Sequence, residues 1–533
     1  MRVNVDSDDE LDAHIEAQPT VSELSASALE FSFIKLPQKA AYAVGHVLND
    51  LCASMWFTYL LLYFNYVKEF GPTLAGELLL VGQVADGLAT PFVGLESDRD
   101  NGMWLCSKYG RRKTWHLLGT VAVLCSFPFL FTKCTWCESA DPWAQFLYYA
   151  IFVVIFQFGW AATQVSHLSL IPDLTPLKHE RVSLNAVRYS FTVAANILVY
   201  VVTLLVLYSG EDASSKKLSP SDAGSFQLIV LTVVAIGAGF SIIFHIFVPD
   251  PTKDIFTFVD TASGAMIDNV PNCAVSDISG YTIERSLHLS WREWFMESQF
   301  YIIGLLYMAT RLYVNLSQVF IGLYLQDSLE LSKESIAIIP LVMYISGFVA
   351  SFPINGLAKV LRLKTIYVIG ITLAIIGAVW IAVGDRADSF DSFEIYGVAC
   401  VIGIASTILL ITSLSITNEL IGNSTASGAF VFGAMSFLDK LSNGVTVIVI
   451  ENLHTCKSCL LSNKKLFYHY VMVYACGGAA LLGFIALLVL TTSKESIRRK
   501  DLLNHTPNRS HANFAETIDD NAPSGRTHLL ETT

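Results

Sequence analysis

Roughly twelve apolar stretches, each close to the ~20 residues a helix needs to cross a hydrocarbon core, run along this chain. Backbone in lipid must satisfy its own hydrogen bonds, so stretches of this length and number predict an all-α polytopic membrane protein. The expected spans are 41–64, 74–96, 115–131, 143–170, 182–208, 226–247, 295–325, 336–357, 365–383, 395–417, 427–450 and 467–490. Charged residues make up 15% of the chain and hydrophobic ones 53%, against about 25% charge in a soluble domain. A soluble enzyme with one anchor is therefore excluded, and nothing suggests nucleic acid. The longest internal loop separates six spans from six. The expected organisation is an acidic cytosolic arm (1–40), a six-helix bundle (41–248), a cytosolic linker (249–293), a second six-helix bundle (294–492) and a polar cytosolic tail (493–533). The arm carries Asp6, Asp8, Asp9, Glu10, Asp12 and Glu16 without apolar periodicity and reads as disordered rather than as a signal peptide.

Lys and Arg favour the cytosolic loops of membrane proteins. Basic residues gather after span 2 (Lys108, Arg111, Arg112, Lys113), after span 4 (Lys178, Arg181), after span 8 (Lys359, Arg362, Lys364) and in the tail. Both termini and the linker are expected on the cytosolic side. The end of span 4, Leu168–Leu174, resembles the end of span 10, Leu414–Leu420, which suggests two related bundles around a central path.

Ionisable groups inside the spans are the strongest functional signal, because charge in a membrane needs a cavity or a counter-charge. Asp86 shares a small, polar helix face with Gln83, Gly87, Thr90 and Gly94, at helical spacing. Asp50 follows His46 and Asn49 on one face of span 1; Arg188 lies in span 5, Arg311 in span 7 and Lys440 in span 11. Polar stripes can simply hold helices together, and Gln157 and Gln164 of span 4 are evenly balanced between that role and a site. For the five charged residues the pattern favours a central polar cavity, with carboxylates facing cations, suited to a zwitterion. Asp98 with Arg111 and Arg112 is placed to latch the bundles on the cytosolic side.

Ten cysteines include two C-x-x-C pairs, Cys134/Cys137 and Cys456/Cys459. Both fall on the expected non-cytosolic side, where disulfides survive; four thiols also suit zinc, and disulfides within or between the loops are the preferred reading. No catalytic triad, nucleotide loop or cofactor site is evident, so the chain reads as a non-enzyme.

The loop with Asp98-Arg99 and Tyr109-Gly110-Arg111-Arg112 resembles the helix 2–3 loop of the major facilitator superfamily. Asp86–Gly94, DGLATPFVG, resembles D-x-x-x-D-P-x-x-G of the glycoside–pentoside–hexuronide cation symporters, with Thr90 in the place of the second aspartate. That resemblance implies twelve helices in two bundles, a coupling-ion role for Asp86 and Thr90, and a substrate role for Asp50, with Gln164 where the family has a helix 4 carboxylate. Arg188 and Lys440 match family basic residues. A longer resemblance, over about 41–490, includes GHVLNDLCASMWFTYLLLY, FQFGWAATQVSHLSLIPDL and SGAFVFGAMSFLDK. It is to a superfamily branch that brings cysteine into lysosomes and melanosomes and affects pigmentation. It implies cysteine as substrate, a lysosomal and melanosomal membrane placement, and alternating access, with protons as a candidate coupling ion and membrane lipid as surroundings. Two other readings compete: a symporter for another small solute, a sugar or lysolipid, and a non-transporting organelle scaffold, which would gain nothing from intramembrane charge.

Overall fold

The computed structural model describes residues 36–98, 106, 109–134, 136–175, 178–209, 217–248, 291–384, 393–421, 428–455 and 464–493. These residues form helices and turns, with no strand among them. Twelve long helices follow in order: α1 (Leu36–Val67), α2 (Pro72–Asp98), α3 (Arg111–Leu130), α4 (Pro142–Leu174), α5 (Lys178–Ser209), α6 (Pro220–Phe247), α7 (Ser298–Leu323), α8 (Ser335–Val360), α9 (Leu363–Gly384), α10 (Ile395–Ile421), α11 (Gly428–Thr455) and α12 (Lys465–Thr492). Ten are long and apolar enough to cross a membrane by length and composition; α3 and α7 are the other two. Polar residues explain the exceptions, since α3 opens on Arg111-Arg112-Lys113 and α7 carries Arg311, Asn315 and Gln318. The seventh helix starts three residues later than expected: a turn of helix, Trp291–Phe295, precedes α7, and Glu297 between them is extended (φ −89°, ψ 116°).

Side chains sort by helix face, as amphipathic packing requires. On α2, Asp86 is 1% exposed while Leu88, two residues on, is 62% exposed, so the polar face turns inward and the apolar one outward. In the first six helices, α1 packs on α5 and α6, and α4 on α2 and α3; in the second six, α7 packs on α10, α11 and α12, and α10 on α8 and α9. Contacts between the two sets run α1 to α7, α2 to α11 and α5 to α8.

Within each set, glycines let backbones touch. A Cβ on Gly119 of α3 would lie 2.7 Å from the Gly159 carbonyl of α4, and one on Gly347 of α8 would lie 2.9 Å from the Gly403 carbonyl of α10.

The clearest internal repeat lies at the ends of α1 and α7. Each finishes in a π-helical turn, Tyr63–Val67 and Tyr324–Ser328. Each is followed by a glutamate in the left-handed region, Glu69 (φ 53°) and Glu330 (φ 54°). The closing hydrogen bonds also match: Lys68 N to Tyr63 O (2.9 Å) and Leu329 N to Tyr324 O (3.1 Å). Tyr63 to Tyr324 and Glu69 to Glu330 are the same displacement of 261 residues. Carried back along the helices, the same displacement makes Arg311 of α7 the repeat counterpart of Asp50 of α1.

Candidate functional site

Asp50 lies one turn beyond a short 3₁₀ turn, Val44–His46, which interrupts α1. His46 Nδ1 stands 2.9 Å from Asp50 Oδ1, and Thr192 of α5 donates to Asp50 Oδ2 at 2.8 Å. Arg188, on the same face of α5, donates from Nη2 to His46 Nε2 at 3.1 Å. A nitrogen that accepts from Arg carries no proton, which puts the imidazole hydrogen on Nδ1, facing the carboxylate. Arg188 thus reaches Asp50 through His46 rather than directly.

The second set repeats the arrangement with the charges exchanged. Arg311 Nε donates to Asp439 Oδ2 of α11 at 2.9 Å, and Asn315 Nδ2 to Asp439 Oδ1 at 3.0 Å. Asp439 is buried, and the Arg311 side chain is 32% exposed. Its two Nη groups make no hydrogen bond to the described residues, so the fork that best matches a carboxylate stays open.

A third polar group bridges the sets. Lys440 Nζ of α11 lies 2.6 Å from Asp86 Oδ1 and donates to Thr90 Oγ1 at 2.8 Å, while Thr90 donates to Asp86 Oδ1 at 3.1 Å. The ammonium also stands 5.9 Å from the centre of the Trp160 ring of α4. A charged pair buried at a helix seam holds together only if its remaining hydrogen-bonding capacity is met. Thr90 provides part of that, while Asp86 Oδ2 has no hydrogen-bond partner.

The structure therefore joins Asp50, His46, Arg188 and Thr192 in one cluster, Arg311, Asn315 and Asp439 in a second, and Asp86, Thr90 and Lys440 in a third. Gln164 is half-buried on α4 and joins none of the three. Trp56 is buried against Gly82 and Phe156. Arg112 pairs with Asp173 of α4, within its own set, at 3.1 Å. The Asp98 side chain, Cys456 and Cys459 lie outside the described residues, and Arg111 is half-buried. Cys134 and Cys137 are joined as a disulfide. His46, Thr192, Asn315 and Asp439 join the candidate site only in the structure, and of these His46 and Asp439 carry the ionisable groups. Their spacing was visible, His46 four residues before Asp50 and Asp439 next to Lys440, but neither partner on the other helix was.

Against known proteins, the chain is 46% identical to major facilitator superfamily domain-containing protein 12 of Equus caballus, over 86% of this chain and 94% of the relative. It is 44% identical to the protein of that name in Homo sapiens, over 88% and 96%. The chain belongs to the major facilitator superfamily. The family model described as MFS/sugar transport protein matches residues 41–267. An isoprimeverose transporter of Lactiplantibacillus pentosus is 25% identical over 43% of this chain and 45% of its own length. The superfamily fold is confirmed by solved structures: the inward-open xylose transporter XylE of E. coli superposes with a TM-score of 0.57 at 14% identity, over 86% of this chain and 96% of that one. The nucleoside transporter NupG gives 0.55 at 15%, over 86% and 100%. The protein is accordingly a multi-pass membrane transporter and not an enzyme, and the α1–α7 repeat is the internal symmetry on which this superfamily's halves are built.

Proposed function

We propose that the protein imports cysteine into lysosomes and melanosomes by alternating access, with the amino acid held as a zwitterion between Asp50 and Arg311. One observation carries this reading: repeat-related positions on α1 and α7 hold a carboxylate and a guanidinium, each steadied by its own α5 or α11 partner. A small amino acid has the matching charges, ammonium toward Asp50 and carboxylate toward the open fork of Arg311. Arg188 acts on Asp50 through His46, Gln164 offers neutral hydrogen bonds from α4, and Lys440 with Asp86 and Thr90 ties α2 to α11 between substrate cycles. The choice of cysteine and of organelle rests on the family resemblance and on 44–46% identity to the superfamily relatives. In this reading the termini and the Arg111/Arg112 loop are cytosolic, and the Cys134–Cys137 disulfide end is lumenal.

A sugar is the second reading, favoured by the sugar-transport description of the matching family model. A neutral sugar, however, leaves the Asp50 carboxylate and the open Arg311 fork without use. Uptake of labelled cysteine into isolated organelles, with and without the protein, separates the two. Saturable cysteine uptake that is lost in Asp50→Asn and Arg311→Gln proteins reaching the same membrane supports the proposal. Uptake of xylose but not cysteine, robust uptake of cystine, or normal cysteine uptake by Arg311→Gln overturns it.

A further inference from the structure

The disulfide end of the α2–α11 seam holds a carboxyl group that the transport site does not use. Glu451 of α11 is 0% exposed. It sits against Gly76 of α2, where a Cβ would lie 3.1 Å from Glu451 Cβ. One turn further along the same seam, the hydroxyls of Thr73 and Thr455 are 3.3 Å apart. Tyr468 of α12 approaches both carboxyl oxygens with its hydroxyl, at 3.4 Å each. His454, on Glu451's own helix, stacks on the Tyr468 ring at 5.1 Å. From α1 come the Asn65 amide and Tyr66, and from α7 comes Asp327, which faces both Tyr66 and Glu451. Among the described residues no Lys or Arg pairs with Glu451. Asp86, further along the same seam, differs, with the Lys440 ammonium 2.6 Å away.

A carboxylate taken out of water without a cation is strongly disfavoured, and a second carboxylate beside it adds to the penalty. A neutral carboxyl group beside the Tyr468 hydroxyl and the buried, unpartnered Asn65 amide suits the same space. We propose that Glu451 is a proton-binding site on the lumenal gate: it takes a proton from the lumen when the α2–α11 seam is open there, and the seam closes over the neutral acid. In the reverse step the opening seam admits water and the proton returns to the lumen. Lumenal acidity then favours the closed seam, and the proton does not have to cross the membrane. The lumenal sidedness rests on the transport reading, but the seam itself can be tested without substrate.

Thr73→Cys and Thr455→Cys introduced together place two thiols across the seam. Oxidative cross-linking of the reduced, purified full chain is followed between pH 5 and pH 8, with Glu451 present and with Glu451→Gln. The thiol chemistry is common to both proteins, so their ratio reports the seam. The expected result is equal cross-linking at pH 5 and a several-fold deficit of the Glu451 protein at pH 8. Glu451→Met, equally unable to ionise but different in shape, is expected to follow Glu451→Gln. Superimposable profiles for the Glu451 protein and either variant overturn the proposal, whatever the substrate proves to be.

Discussion

Lys440 and Asp86 meet at 2.6 Å across the seam between α11 and α2, and Thr90 bonds to both. Thr90, at the position where the resembled symporter motif carries its second aspartate, supplies the bridging hydroxyl. With the Lys440 ammonium already in place, one carboxylate balances it, and a hydroxyl fills the remaining hydrogen-bonding position. The contact makes Asp86 a structural partner as well as a candidate coupling group.

Removing one member of that pair should destabilise the protein more than removing both. A buried charge left alone costs about 3–5 kcal/mol. Asp86→Asn or Lys440→Gln alone should therefore lower the thermal unfolding midpoint clearly in detergent, and Asp86→Asn combined with Lys440→Gln should recover much of the loss. Additive losses in the double variant would show that the two side chains act independently.

At the substrate site, Arg311→Lys should be far from conservative. Lys keeps the charge but loses the fork that holds Asp439 through Nε while leaving two donors for a carboxylate. Loss of a charge-assisted hydrogen bond of about 1.5–3 kcal/mol predicts a rise in the KM for cysteine of roughly 10- to 100-fold, with the amount of protein in the membrane unchanged. An unaltered KM would place the carboxylate elsewhere.

His46→Ala should weaken uptake through Asp50 and Arg188 rather than through folding. The ring links the Arg188 guanidinium to Asp50, while the Thr192 hydroxyl reaches both Asp50 and the Arg188 backbone carbonyl. His46→Gln, which can both donate and accept, should retain more activity than His46→Ala; equal loss in the two would mean that the ring fills space only.

Glycine substitutions should divide by position. A methyl at Gly119 meets the Gly159 carbonyl at 2.7 Å and the Thr163 hydroxyl at 2.5 Å, whereas one at Gly94 meets nothing within 4 Å. Gly119→Ala should reduce the folded yield, measured by size-exclusion chromatography, and Gly94→Ala should not.

Much of this was legible in the sequence. Twelve spans, the two halves and the charged residues follow from hydropathy and helical spacing, because lipid tolerates few alternatives. The pairings were not. Which carboxylate meets which cation depends on helices distant in the chain, and His46 and Asp439 became partners only when α5 and α7 were placed beside them. The likeness between the ends of α4 and α10 is faint, and the plainest trace of the repeat is in backbone geometry, where two π turns lead into glutamates with positive φ. Glu451 is hidden in the sequence for a simpler reason: apolarity fades after Ile450, so the residue reads as the start of a loop, whereas α11 continues to Thr455.

The glycine seats also bear on what can move. Where Gly119 meets Gly159 and Gly347 meets Gly403, main chain rests on main chain, and no rotamer change can relax the fit. Along α2 and α11 the glycines face mostly side chains: Gly76 meets Glu451 and, more distantly, the Ile448 backbone, Gly444 meets Leu80 and Gln83, and Gly87 meets Phe437. Side chains can swing, so this seam can slide or part at the cost of a few torsions. The molecule is thus built like a pair of stiff levers with a lubricated bearing between them, and the same residue type makes the levers rigid and the bearing free.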